Sequence, residues 1–506
     1  MILALVCVPL VAGLIAFGWR SDAGRRMLLV LSALVHLGLT AACWIEPPTP
    51  MLDGWLKLDS LGLLFLSITS VLFLASSVYC LGYLGKEHGA SHIDFEEHLF
   101  FSNEPEAVFT GCLLLFLASM TLVTVSQHFG LLWVGIEATT LASAPLIYFH
   151  RQHRSLEATW KYLLICSVGI ALALLGNILL AAAAAGSGMG GSSLVLSDLL
   201  GAKMEHVSWL KASFLFFLVG YGTKMGLAPM HTWLPDAHSE SPSLVSALLS
   251  GALLNCAFLG ILRAHQVCAA AGQALFSQEL LLFFGLLSMA VAAIFIIAQA
   301  DYKRMLAYSS VEHMGILAIG VGLGGAGARG AALHAVNHSF TKAMLFLVAG
   351  NVLATFGTKS IRDVRGVLRV IPWSGVLWLA GFLAITGTPP FGPFLSEFTI
   401  LKAALDHDRG WVAAIYLLFL AIIFVGMANS VLVMTQGPVT GTVRPDPRRE
   451  GWWSILPPLG LSVVVLTLGL YIPPRLSALL EEAQQILSPA DAAAAPAVAN
   501  HDRSLR

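Results

Sequence analysis

Charge is what this chain has least of. Of its 506 residues only 11% are Asp, Glu, Lys or Arg, while 57% are hydrophobic and the mean hydropathy is +0.79. Ordinary soluble domains carry roughly 25% charged residues, so a water-solvated fold of this size is excluded. A formal net charge of -1 leaves no basic field for nucleic acid. Metal-binding and redox motifs are missing too. The seven cysteines include no C-x-x-C; six lie in apolar stretches and Cys268 is placed in a short loop, which argues against iron–sulfur, zinc and disulfide frameworks. No H-E-x-x-H, phosphate-binding loop or flavin-type motif occurs. Gly186-x-Gly188-x-x-Gly191 and Gly322-x-Gly324-x-x-Gly327 fit the dinucleotide spacing, but neither follows a strand, so both are loop or packing glycines. His88, His92, Glu96 and His98 share one acidic loop, read as solvated rather than metal-binding. No cofactor and no metal are expected, and the chain alone is expected to carry out no redox chemistry.

Long apolar runs are what the chain has in abundance, each able to cross a hydrocarbon core of about 30 Å. They fall near 1–19, 27–45, 59–84, 107–126, 129–149, 158–185, 209–234, 242–263, 279–299, 302–323, 330–353, 373–401, 411–434 and 452–472. The expected fold is an all-α polytopic membrane protein of about fourteen transmembrane helices. The first run has no Lys or Arg at its start and no small-residue cleavage site after it, so it reads as a retained span. Basic residues recur in alternate loops, at Arg20–Arg26, His150–Arg154, Lys303–Arg304, Lys359–Arg369 and Arg444–Arg449. By the positive-inside rule these loops are cytoplasmic and both termini lie outside a cell (inner) membrane. The Gly/Ala/Ser-rich loop 183–208 reads as mobile, and the Ala/Pro-rich tail 488–506 as disordered.

Two runs are interrupted. Gly226 and Pro229 break the one at 209–234, and "AITGTPPFGPFLSEF" breaks the one at 373–401. Free backbone groups survive in a membrane only beside protein or a wet cavity, and paired breaks point to inverted repeats. Five spans is an odd period, so the second copy is upside down. The expected division is 1–106 as flanking helices, 107–263 and 279–434 as the two repeats, 435–487 as one flanking helix, and then the tail.

Inside these runs sit ionisable residues: Glu137, Lys224, Glu312, His313, His334, His338, Lys342 and Glu397. Each Lys, Asp or Arg at the bilayer centre costs about 2.5–3.5 kcal/mol on insertion scales, so such groups face partners or water. His334, His338 and Lys342 step by four along one helix face. Snorkelling accounts for Lys161, Lys211, Arg263 and Lys402, which lie near span ends. It does not account for so many deep titratable groups, which are an expensive way to hold helices together.

The stretches "KMGLAPMHTWLPDAHSESPSLVSALLSGALL", "DYKRMLAYSSVEHMG", "NHSFTKAMLFLVAG" and "GTPPFGPFLSEF" resemble the antiporter-like subunits of respiratory complex I, Mrp antiporters and membrane-bound hydrogenases. "WVGIEATTLASAPLIYF", "LEATWKYLLICSVGIALALLGN" and "SSVEHMG" are most similar to component F of hydrogenase-4. The resemblance implies a proton-translocating subunit with two half-channels and with other membrane subunits as partners. It makes Glu137 the acid paired with Lys224, and places His231 after them. His338 and Lys342 become the central pair of the second half, and Glu397 its terminal residue. Asn255 stands where many complex I subunits have a lysine, so the path between halves would run through water, His231 or Glu312. Rival readings are an Mrp-type cation/proton antiporter, carrying H⁺ or Na⁺, and a membrane scaffold with inactive channels.

Overall fold

The computed structural model describes residues 1–87, 92–93, 100–185, 193–439 and 450–488. The basic loop at Arg444–Arg449, the tail beyond Ser488, the first glycine motif and most of the histidine-bearing loop lie outside these residues. The chain runs α1 (Ile2–Gly18), α2 (Asp22–Cys43), α3 (Ser60–Lys86), a small antiparallel pair β1 (His92–Ile93) and β2 (Phe100–Phe101), α4 (Glu106–Val125), α5 (Phe129–Ile147), α6 (His153–Ala184) and α7 (Leu196–Gly201). It continues through α8 (Val207–Met225), α9 (Trp233–Glu240), α10 (Ser243–Leu248), a π-helical turn at Leu249–Leu253, α11 (Leu254–Ala270), α12 (Ala274–Ile297), α13 (Tyr302–Leu323) and α14 (Gly325–Phe356). The last elements are α15 (Val367–Val370), α16 (Pro372–Ile385), α17 (Gly392–Asp406), α18 (Gly410–Gln436), α19 (Trp452–Leu470) and α20 (Pro474–Leu487).

Among the described residues eleven helical segments are long and apolar enough to cross a membrane, with α1 and α16 apolar but shorter. Helix ends are capped as their sequences dictate. Asp59 accepts from Gly62 N at the start of α3, and Asp301 from the Lys303 and Arg304 amides at the start of α13. The segment from Ser243 to Ala270 and α13 form the buried centre, while α2 and α18 bury only one face. Glycine lets the central backbones touch: a Cβ on Gly315 of α13 would lie 2.7 Å from the Gly285 carbonyl of α12.

Both expected breaks are present, and each is satisfied by its neighbours. Helix α8 stops at Gly226, whose φ of 86° is left-handed. The Trp233 indole then donates to Thr223 O at 2.8 Å, and the Ala228 amide to Ser288 Oγ at 3.0 Å. Between α16 and α17, Gly387 turns at a φ of 63° and Asn337 Nδ2 donates to Gly392 O at 2.8 Å. These are the partners that hydrocarbon cannot supply.

Several readings need correction. Beyond the end of α18, the described residues of region 435–487 hold two helices rather than one, α19 and α20. Helix α20 is amphipathic, burying Leu479, Leu480, Ala483 and Leu487. Cys268 is buried within α11, not in a loop. Arg263 does not snorkel: it is 1% exposed and grips both carboxylate oxygens of Asp59. Burial works against ionisation of Asp59, but the guanidinium beside it prevails and holds the carboxyl below its usual range. Lys303 is also buried, in the first turn of α13, donating to the carbonyls of Ser239 and Ser241 at 3.0 and 2.6 Å.

Candidate functional site

Deep polar side chains gather into two clusters. The first is built on α5, α6 and the last turn of α8. Lys224 is fully buried, and its Nζ donates to Thr140 Oγ1 at 2.7 Å and to Tyr162 OH at 2.6 Å. The ammonium also lies 4.5 Å from the centre of the Tyr162 ring, a cation–π distance. Thr140 in turn donates to Glu137 Oε2 at 3.1 Å, and Ser167 to Glu137 Oε1 at 3.1 Å. Ser143 Oγ lies 2.7 Å from Tyr162 OH.

The expected direct pair of Glu137 and Lys224 is therefore corrected to a relay through one hydroxyl. Thr140 sits one helical turn after Glu137, so the two side chains rise on the same face of α5. An oxygen that accepts from the ammonium and donates to the carboxylate spans a gap the two charged groups do not close directly. Glu137 itself is only half-buried, on the flank of the chain.

The second cluster joins α13, α14 and α17. Glu312, His313, His334, His338, Lys342 and Glu397 are all buried. His313 Nδ1 lies 2.9 Å from His334 Nε2, and His334 Nδ1 lies 2.9 Å from Ser396 Oγ. The His338 ring centre is 4.9 Å from that of His313. Lys342 Nζ donates to Leu306 O at 2.6 Å, so the helix carbonyl, not Glu312, is its hydrogen-bonded neighbour. Glu312 Oε2, His313 Nε2, both His338 nitrogens and Glu397 Oε1 have no hydrogen-bond partner among the described residues. Buried polar atoms are normally satisfied, so this concentration of unpartnered donors and acceptors is unusual for a helix interior.

Between the clusters lie neutral groups. Asn255 Nδ2 donates to Gly251 O at 2.9 Å and to Ser339 Oγ at 2.7 Å, and Ser250 Oγ lies 2.8 Å from Ser310 Oγ. Within the π-helical turn, Gly251 comes close to α14: a Cβ there would lie 3.0 Å from Ser339 O. His231 is not joined to Lys224; its ring sits edge-on to Tyr308, with centres 6.1 Å apart. One flank of the bundle carries an ionic belt. Asp236 accepts from Lys161 Nζ at 2.9 Å and from Arg304, and Glu240 pairs with Lys359 at 2.8 Å. Burial opposes ionisation of Glu240, yet Lys359 holds its carboxyl below the ordinary range.

Tyr162, Thr140 and Ser396 were missed in the sequence. Hydroxyl residues are common in membrane helices, and only their contacts single these out. His313 was visible as a deep histidine, and its adjacency to His334 was not.

Residues 126–424 match the family described as NADH:quinone oxidoreductase/Mrp antiporter, TM. The chain is 35% identical over 442 residues to a Hydrogenase-4 component F homolog of Methylacidiphilum infernorum, covering 85% of this chain and 87% of that protein. It is 29% identical to Hydrogenase-4 component B of Escherichia coli, of which it spans 56%. Its fold is like that of a chain of the archaeal membrane-bound sulfane sulfur reductase, with a TM-score of 0.82 at 20% identity, covering 96% of this chain and 97% of that one. A chain of respiratory complex I from Thermus thermophilus is similar at a TM-score of 0.79 and 25% identity, covering 96% of this chain and 100% of that one.

Proposed function

The chain belongs to the NADH:quinone oxidoreductase/Mrp antiporter transmembrane family, and we propose that it is the proton-translocating membrane subunit of a redox-driven, complex I-like assembly of the hydrogenase-4 type. The observation that carries this reading is the hydrogen-bonded chain from buried Lys224 through buried Thr140 to half-buried Glu137, in which a base and an acid are joined through one hydroxyl. A proton passing between them needs only short hops and hydroxyl rotation. The chemistry that drives it would reside in partner subunits. Names of relatives support such partners, since they include hydrogenase-4 components and NADH-quinone oxidoreductase subunits.

In this reading 107–263 and 279–434 are two inverted repeats, each a half-channel. Glu137, Lys224 and His231 serve the first, and Glu312, His334, His338, Lys342 and Glu397 the second. The neutral groups around Asn255 and Ser339 connect them, with water completing the path. Protons fit better than Na⁺, because a hard cation takes oxygen ligands and the second half offers mainly imidazole nitrogen. Vesicles holding the assembled complex, supplied with electron donor and acceptor, are expected to accumulate protons. Full redox turnover by an intact complex with no proton movement would reject the reading.

The orientation proposed is that of an inner-membrane protein with both termini outside. A reporter fused after Ser488 should then be extracytoplasmic, and one inserted within 359–369 cytoplasmic. Finding both on one side would remove the orientation and the fourteen-span count together.

A further inference from the structure

The second cluster carries an arrangement that proton transfer alone does not require. His313, His334 and Glu397 are all buried and each offers one ligand atom, with these atoms lying within 4.8 Å of one another. We propose that they form a binding site for a divalent transition-metal cation of the Zn²⁺ class, which would sit between α13, α14 and α17.

Four features of the site support this. The first is donor type: two imidazole nitrogens and one carboxylate oxygen, with water as a fourth ligand, is a donor set borderline-soft cations take. The second is spacing. The facing nitrogens, His313 Nδ1 and His334 Nε2, are 2.9 Å apart. Around tetrahedral Zn²⁺ with Zn–N of about 2.0–2.1 Å, ligand atoms stand about 3.3 Å from one another. The two rings therefore part by only a few tenths of an ångström, and Glu397 closes in.

The third feature is the outer shell. A ligating histidine usually donates its other ring N–H to an oxygen, which sets its tautomer and orientation. His334 Nδ1 already has Ser396 Oγ at 2.9 Å, and His313 Nε2 faces Glu312 Oε2 at 4.0 Å. The proton shared by the facing nitrogens would move to His313 Nε2, toward Glu312, when the metal takes its place. The fourth is charge: the carboxylate of Glu397, with that of Glu312 4.0 Å from His313 Nε2, offsets the charge of a dication, as a buried site requires.

The proposal shares residues with the proton path, but its test measures metal bound. The full-length chain, purified in detergent and stripped with chelator, is titrated with Co²⁺ and then with Zn²⁺. One equivalent of Co²⁺ should develop the visible absorption of a four-coordinate site, and one equivalent of Zn²⁺ should remove it. Ser396→Ala keeps every ligand and removes one hydroxyl from His334, so it should weaken Zn²⁺ binding by about 10–100-fold. His313→Gln and Glu397→Gln should abolish the Co²⁺ spectrum. Absence of that spectrum in the unaltered chain overturns the site. So does unchanged Zn²⁺ affinity in Ser396→Ala, which is what binding at surface histidines would give. A complex that pumps protons but binds no metal loses only this proposal; one that binds metal but never pumps loses only the functional reading.

Discussion

Replacing Lys224 by arginine is expected to slow proton uptake by vesicles holding the assembled complex on the order of a hundredfold, the scale of losing a positioned acid–base group. The reason lies in the cage. Lys224 is fully buried between Thr140 and Tyr162, at 2.7 and 2.6 Å. A lysine so placed can pass a proton to the hydroxyl that joins it to Glu137 and take one back. A guanidinium does not release its proton in any accessible pH range, and its planar fork does not fit a cage built for a point charge. Glu137→Gln should fail for the complementary reason, leaving the lysine without its acid. If the pair only held helices together, Lys224→Arg would preserve charge and pumping alike. Normal uptake by an arginine variant that co-purifies with its partner subunits would therefore remove Lys224 from the path.

Thr140→Val should produce a loss of similar size, on the order of a hundredfold, and Thr140→Ser should restore most of the activity. Valine keeps the branched shape and deletes the one oxygen that touches both the ammonium and the carboxylate. Serine keeps the oxygen and deletes a methyl group. The serine rescue separates this from a packing defect, since the smaller side chain leaves the larger void. The measurement is again proton uptake per electron transferred, with redox turnover recorded in the same vesicles. Coupled pumping at the normal rate in Thr140→Val would mean that Glu137 and Lys224 communicate through water instead.

Legibility in the sequence differed by the range of the physics involved. The apolar runs, the interruptions at Gly226 and Gly387 and the depth of the charged residues all depend on neighbours in the chain, and the helices follow them closely. Helix α20 was legible in principle. Pro474 in its first turn and leucines at 479, 480 and 487 follow the helical period, but the stretch is too polar to register as a span. Arg263 shows the opposite failure. Its position near a helix end suggested an interfacial residue, whereas Asp59, 204 positions away in sequence, lies against it.

By itself the sequence determined that this is a helical membrane protein, where its helices break, and, Arg263 and Lys303 apart, most of the ionisable groups that lie deep enough to need partners. Each of those follows from composition and local periodicity, because hydrocarbon leaves the backbone few options. Which groups meet was decided only by tertiary structure. The hydroxyl between Glu137 and Lys224, the contact of His313 with His334, and the neutral link through Asn255 and Ser339 all join different helices or depend on side-chain direction. Ångström-scale approach across helices is set by packing, above all by small residues such as Gly285 and Gly315 that let backbones touch, and no periodicity along one helix encodes the rotation of its neighbour.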